Sequence, residues 1–120
     1  MKKKTLVIGA SDNPERYSYK VTQRLSAMGA DVTAVGIREG MIGNVKILTG
    51  FPVLSDVDTV TLYVGEKNQP HWYDYIFSLK PKRIIFNPGA ENPELEKMAE
   101  KKGIEVLQAC SLTMLSVGNY

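Results

Sequence analysis

The chain has 120 residues, 43% of them hydrophobic and 23% charged, with a net charge of +2. That length suits one domain spanning residues 1–120, burying roughly two thirds of the surface its unfolded chain exposes. The apolar share excludes a disordered chain, and the charge is too small to mark a nucleic-acid surface, with Lys2, Lys3 and Lys4 forming a solvated terminal cluster.

Strand-length apolar runs alternate with segments of helical period, the pattern of a parallel sheet wrapped by helices. Thr5 to Ile8 is the first strand. It enters a Gly-Ala-Ser loop and re-emerges as a helix in which Val21, Leu25 and Met28 fall at i, i+4 and i+7. Ser18 is the predicted cap of that helix, and Gly29 is placed to end it in the left-handed conformation. Val32 to Val35 is the second strand. Gly40, Gly43, Gly50 and Pro52 then break the stretch from Gly36 to Asp58, leaving room for one short strand over Val45 to Leu48.

Thr59 to Val64 is rich in β-branched residues and reads as a strand. Asn68-Gln69-Pro70 starts a helix whose packing face is Trp72, Tyr73, Ile76 and Phe77. Arg83 to Phe86 is the next strand. Asn92 and Pro93 supply an N-cap and a first-turn proline for a helix through Leu95, Met98 and Ala99, stopped by Gly103 before a last strand, Ile104 to Leu107. The tail from Ser111 to Tyr120 holds room for one short helix.

Right-handed crossovers turn this order into an α/β fold: a doubly wound, mostly parallel, Rossmann-like sheet whose order reverses beside the first strand. Ligands of such sheets bind at the carboxyl ends of the strands. The loops expected there are Gly9 to Tyr17, Gly36 to Gly43, Gly65 to Asn68, and Asn87 to Glu91, the last offering Asn87 and Gly89.

A strand feeding a helix through a short polar loop presents unpaired backbone N–H groups, which suit a phosphate. Gly9 permits close backbone approach and is followed by Ala10; Ser11 and Ser18 offer hydroxyls, and Arg16 offers a cationic fork. The alternative is a plain strand-to-helix connection in which the serines are caps. The loop departs from the dinucleotide fingerprint G-x-G-x-x-G, which weakens a nicotinamide reading. On the ligand reading, Gly9→Val is expected to abolish nucleotide binding and leave the protein folded.

After the second strand, where an NAD-binding protein usually places an acid, the first charged residue is Arg38. It is expected to meet a phosphorylated ribose, or else to pair with Glu39 on the surface. His71 has no neighbouring acid or nucleophile in the sequence and reads as a capping or surface residue. Tyr63 and Lys67 share the Tyr-x-x-x-Lys spacing of short-chain dehydrogenases, but that pair needs one helix turn and Tyr63 falls in a predicted strand. Cys110, the only cysteine, excludes an internal disulfide and a multi-cysteine metal site, and is expected to be buried as a small apolar side chain. No metal site and no catalytic constellation are predicted. With no apolar run of spanning length and no signal-peptide core, the expectation is a cytoplasmic protein that engages neither membrane nor nucleic acid.

The segments GASDNPERYSYKV, VDTVTLYV and NPGAENPELEKMAEKKGIEV together resemble the small, single-domain CoA-binding proteins related to the N-terminal domain of succinyl-CoA synthetase alpha subunits. The resemblance covers nearly the whole chain. It implies a Rossmann-like fold holding the nucleotide part of coenzyme A, with Gly9, Ser11, Arg16 and Ser18 as first-loop contacts. It also implies that Arg38 lies near a basic position after the second strand and that Val64 and Gly65 hold the adenine end. Two positions depart from the family: Gly36-Ile37 stands where Asn-Pro is common, and Gln108-Ala109 where Asp-Arg precedes the late cysteine. The synthetases' phosphohistidine domain has no counterpart, so the resemblance carries no ligase activity.

The expected function is therefore non-catalytic binding of coenzyme A or a short acyl-CoA, a small-molecule nucleotide ligand, with any protein partner unidentified. The alternative is an NADP-dependent oxidoreductase or a fragment of one. A third reading is a structural or regulatory partner with a degenerate pocket.

Overall fold

A computed structural model describes residues 3–120. The strands are β1 (Thr5–Ile8), β2 (Val32–Val35), β3 (Gly40–Ile42), β4 (Val45–Leu48), β5 (Thr59–Leu62), β6 (Arg83–Phe86) and β7 (Glu105–Gln108). The helices are α1 (Tyr17–Ala27), α2 (Tyr73–Leu79), α3 (Pro93–Lys101) and α4 (Ser111–Val117). One seven-stranded sheet runs in the order β3-β4-β2-β1-β5-β6-β7. All neighbours are parallel except β3 and β4. The order reverses beside β1, which pairs with β2 on one side, Val7 opposite Ala34, and with β5 on the other, Val7 opposite Thr61.

Alternation along the strands divides the core into two layers. Leu6 and Ile8 of β1 face one side, joining Val60, Leu62, Ile84 and Phe86 under Ile76 of α2 and Leu95 and Ala99 of α3. Val7 faces the other side, with Val21 and Leu25 of α1 and Leu115 of α4. β1, β5 and β6 are buried along their whole length, which is why they read as continuous apolar or β-branched runs.

Three local expectations change. Ser18 does not cap α1; Arg16 takes the N-cap position without a side-chain hydrogen bond, and Ser18 lies buried within the first turn. The predicted loop from Gly36 to Gly43 contains β3, which returns on β4 through the two-residue turn Gly43-Asn44, with Gly43 at φ +59°. A glycine with positive φ at the first central position is what a tight hairpin turn of the right twist requires. The helix expected from Asn68 begins as two 3-10 turns, Glu66–Asn68 and Pro70–Trp72, before α2.

Candidate functional site at the switch point

Between the carboxyl ends of β1, β2, β4 and β5 lies a cavity of about 520 Å³. Gly9 follows β1, Gly36 and Ile37 follow β2, Thr49 and Gly50 follow β4, and Val64 follows β5. Lys67 and Asn68 of the first 3-10 turn, with Pro70, His71 and Trp72 of the second, complete the lining. Among the described residues no aspartate or glutamate lines it, and the titratable side chains in the lining are Lys67 and His71.

The two glycines at the switch point are there because backbones converge. Gly9 has φ +95°, and a Cβ on it would stand 3.0 Å from the Tyr63 carbonyl carbon. A Cβ on Gly36 would collide with the Ala10 carbonyl oxygen. Gly9→Val therefore strains the fold itself, contrary to the expectation that the protein would stay intact, because a branched side chain has neither the conformation nor the space.

The first loop is more occupied by the sheet than its sequence suggests. The N–H groups of Gly9 and Ala10 both donate to the Val35 carbonyl, at 3.0 and 2.9 Å. The Ser11 hydroxyl accepts from the Asn13 N–H at 3.1 Å, and the Asn13 side-chain carbonyl accepts from the Glu15 N–H at 3.0 Å. Arg16 is exposed. The start of α1 carries neither a side-chain cap nor an acidic residue, so its partial positive charge is uncompensated within the helix.

Of the sequence-predicted contacts, Gly9 and Val64 line the cavity, whereas Ala10, Ser11, Arg16 and Ser18 lie beyond its first wall. Arg38 is exposed in the bend between β2 and β3 and is not part of the lining. Gly65 and Gly89 are exposed, and a Cβ on either would meet nothing within 4 Å. Asn87 is 1% exposed and its amide is spent within the fold. It donates to the Thr61 hydroxyl at 2.7 Å and the Leu62 carbonyl at 3.0 Å, and accepts from the Ser111 N–H at 2.8 Å.

Sequence reasoning missed the outer wall. Thr49 and Gly50 follow a parallel strand that was legible, so their place at the carboxyl end follows from it. The sequence places Trp72 on a helix packing face and His71 at a cap or on the surface, and neither reading points to the cavity. Trp72 is buried and His71 exposed, both as expected, and His71 lies against Phe51, ring centroids 5.1 Å apart. Phe51 also meets Trp72 edge-on at 5.3 Å, and the three rings form an aromatic rim.

Two titratable groups stand apart on the α1 and α4 side. The Tyr63 hydroxyl is buried without a hydrogen-bond partner among the described residues, and burial pushes the phenol far above its usual range. Cys110 is half-buried rather than enclosed, since it precedes the first turn of α4. Burial pushes its thiol up, but hydrogen bonds from the Thr113 hydroxyl and the Thr113 and Leu112 N–H groups outweigh that and hold it below the ordinary thiol value. Among the described residues no group of His, Cys, Asp and Glu is placed to hold a metal ion. No helix among them is long and apolar enough to cross a membrane.

A doubly wound, mostly parallel sheet with a glycine-floored cavity at its switch point defines a Rossmann-like α/β domain. Within that class the chain belongs to the CoA binding domain family, whose model matches residues 3–116. No curated protein matches the chain. It is similar to a crystal structure of an uncharacterized protein at 46% identity and a TM-score of 0.96, covering 100% of this chain and 99% of that one. A hypothetical protein from Pyrococcus horikoshii OT3 is 25% identical with a TM-score of 0.79, over 90% of this chain and 76% of that one. A Thermus thermophilus protein, 21% identical with a TM-score of 0.84 over 96% and 89% of the two chains, shares the fold.

The residues present fit the nucleotide part of coenzyme A. The cavity volume lies in the range of small-molecule sites, roughly 300–1,000 Å³. Two side-chain-free positions on the floor, apolar walls at Ile37, Val64 and Trp72, and a basic rim suit a flat base joined to an anionic group.

Proposed function

We propose that the protein binds coenzyme A or a short acyl-CoA through its nucleotide part and does no chemistry on it. The observation that carries the reading is the position of the cavity: it opens where β1 parts from β2 and β5, with Gly9 and Gly36 at its floor. The family match supports the ligand class. No carboxylate, serine or cysteine among the described residues lines the cavity, and Thr49, Lys67 and His71, which do, share no hydrogen bond that would pair a nucleophile with a base; this supports recognition without turnover.

Calorimetry with CoA, acetyl-CoA, NADPH and NADH tests this reading. CoA and acetyl-CoA should bind with similar affinity and outbind both nicotinamide nucleotides. A thermal-shift titration should agree, because ligand at a hundredfold its dissociation constant adds about 2.7 kcal/mol. Preference for NADPH would replace the reading with an oxidoreductase one. Hydrolysis or transfer from acetyl-CoA that disappears in Cys110→Ala or His71→Ala would overturn the non-catalytic part.

A further inference from the structure

The polar groups at the carboxyl ends of the strands fall into two sets. Asn87, Gln69 and Asn92 are buried and have their amides committed within the fold. Lys67, Asn68 and His71 are exposed on the cavity rim, and among the described residues their side chains take no hydrogen bond from the chain. The first set holds the second in place. Gln69, fully buried, donates from its amide nitrogen to the Val64 carbonyl at 2.8 Å and the Ala90 carbonyl at 2.7 Å. The Asn68 N–H donates to the Gly65 carbonyl at 2.9 Å, which closes the turn carrying Lys67. A rim of uncommitted donors on a braced turn is pre-organised, so little ordering opposes ligand binding.

We propose that this turn is the anion-reading element of the site: Lys67 meets a phosphate of the bound nucleotide, with Asn68 and His71 as neighbouring donors. The charge preference of the cavity then resides after β5 and not at Arg38 after β2. This assignment rests on the nucleotide-binding reading above and adds the residue that makes the site select a phosphorylated ligand. The electrostatics favour it, because an ammonium beside a cavity without carboxylates has no internal counter-ion to displace. Arg38, by contrast, is exposed and lies outside the lining.

The test compares the unmodified protein with Lys67→Gln, Lys67→Arg, His71→Gln and Arg38→Gln by calorimetry, using CoA, ADP, inorganic pyrophosphate and uncharged adenosine. Lys67→Gln should weaken CoA and ADP by about tenfold or more and leave adenosine unchanged. Lys67→Arg should restore most of that loss, His71→Gln should cost less than Lys67→Gln, and Arg38→Gln should stay within about twofold. CoA binding that survives Lys67→Gln would overturn the assignment and leave the nucleotide reading intact. An equal loss for adenosine would also overturn it, since it would mark a structural role. If ADP or pyrophosphate binds in a Lys67-dependent way while CoA does not, the assignment stands and the CoA reading falls. If none of the anions binds the unmodified protein, both fall.

Discussion

The side-chain nitrogen of Asn92 donates to the side-chain oxygen of Gln69 at 2.8 Å, joining the loop after β5 to the start of α3. Both residues are buried. The Asn92 nitrogen also donates to the Tyr73 hydroxyl at 2.7 Å, and its oxygen caps α3 by accepting from the Glu94 and Leu95 N–H groups. One side chain thus ends a loop, starts a helix and satisfies a buried amide.

Asn92→Ala should destabilise the protein by about 2–4 kcal/mol, combining a lost cap with an orphaned Gln69 oxygen. Urea unfolding measures it. Gln69→Ala should cost a similar amount, and the double variant should cost less than the sum by on the order of 1 kcal/mol, since both remove the same bond. Strict additivity would show that the two amides act independently.

Glycines around the cavity should respond to alanine according to conformation rather than proximity to ligand. Gly9→Ala, at φ +95° against the Tyr63 backbone, should destabilise by on the order of 1–3 kcal/mol. Gly65→Ala should change stability by no more than about 0.5 kcal/mol, because Gly65 has φ −62° and open space around it. Circular dichroism melts separate the two; equal melting temperatures would refute the argument.

Tyr63 sets an alkaline limit. Its phenol is held protonated by burial in the fold, whereas the unfolded chain releases that proton near pH 10. Above about pH 10 the unfolded state binds fewer protons, so stability is flat below that point and falls as pH rises beyond it. Tyr63→Phe should flatten the fall between about pH 10 and 11 and add about 1 kcal/mol at neutral pH by removing an unpartnered hydroxyl. Denaturant titrations at pH 7 and pH 10.5 give both numbers, and an unchanged pH dependence in the variant would assign the effect elsewhere.

Cys110 should alkylate with a pH profile whose midpoint lies below that of a free thiol. Thr113→Val removes the hydroxyl that helps hold the thiolate and should move the midpoint upward. Iodoacetamide kinetics across pH 6–10 read this, and a midpoint insensitive to Thr113 would mean that the hydroxyl does not reach the sulfur.

Much of the fold was legible because it is written locally. β1, β5 and β6 are short apolar or β-branched runs, and Asn92-Pro93 and Gly103 mark the ends of α3 through single-residue chemistry that needs no partner. The hairpin went unread: Gly43-Asn44 between Ile42 and Val45 is a two-residue turn signal, but the glycines around it obscure the short strand β3. The loops expected at the ligand end follow from the parallel order, which places the cavity at the switch point.

The ownership of that cavity was decided only in three dimensions. Asn87 and Lys67 are both polar residues in predicted ligand loops, and nothing in their neighbours distinguishes them. The fold turns Asn87 inward, where Thr61, Leu62 and Ser111 from two other elements consume its amide, and leaves Lys67 on the rim. Likewise, that Gly36 must lack a side chain depends on the Ala10 carbonyl, 26 positions away in the chain and brought beside it by the pairing of β1 with β2. Periodicity and capping act within a few residues, so the sequence by itself determined the parallel strands and the helices between them, though not β3; hydrogen-bond satisfaction and close approach act across strands, so only the tertiary structure decided which polar groups remain free for a ligand.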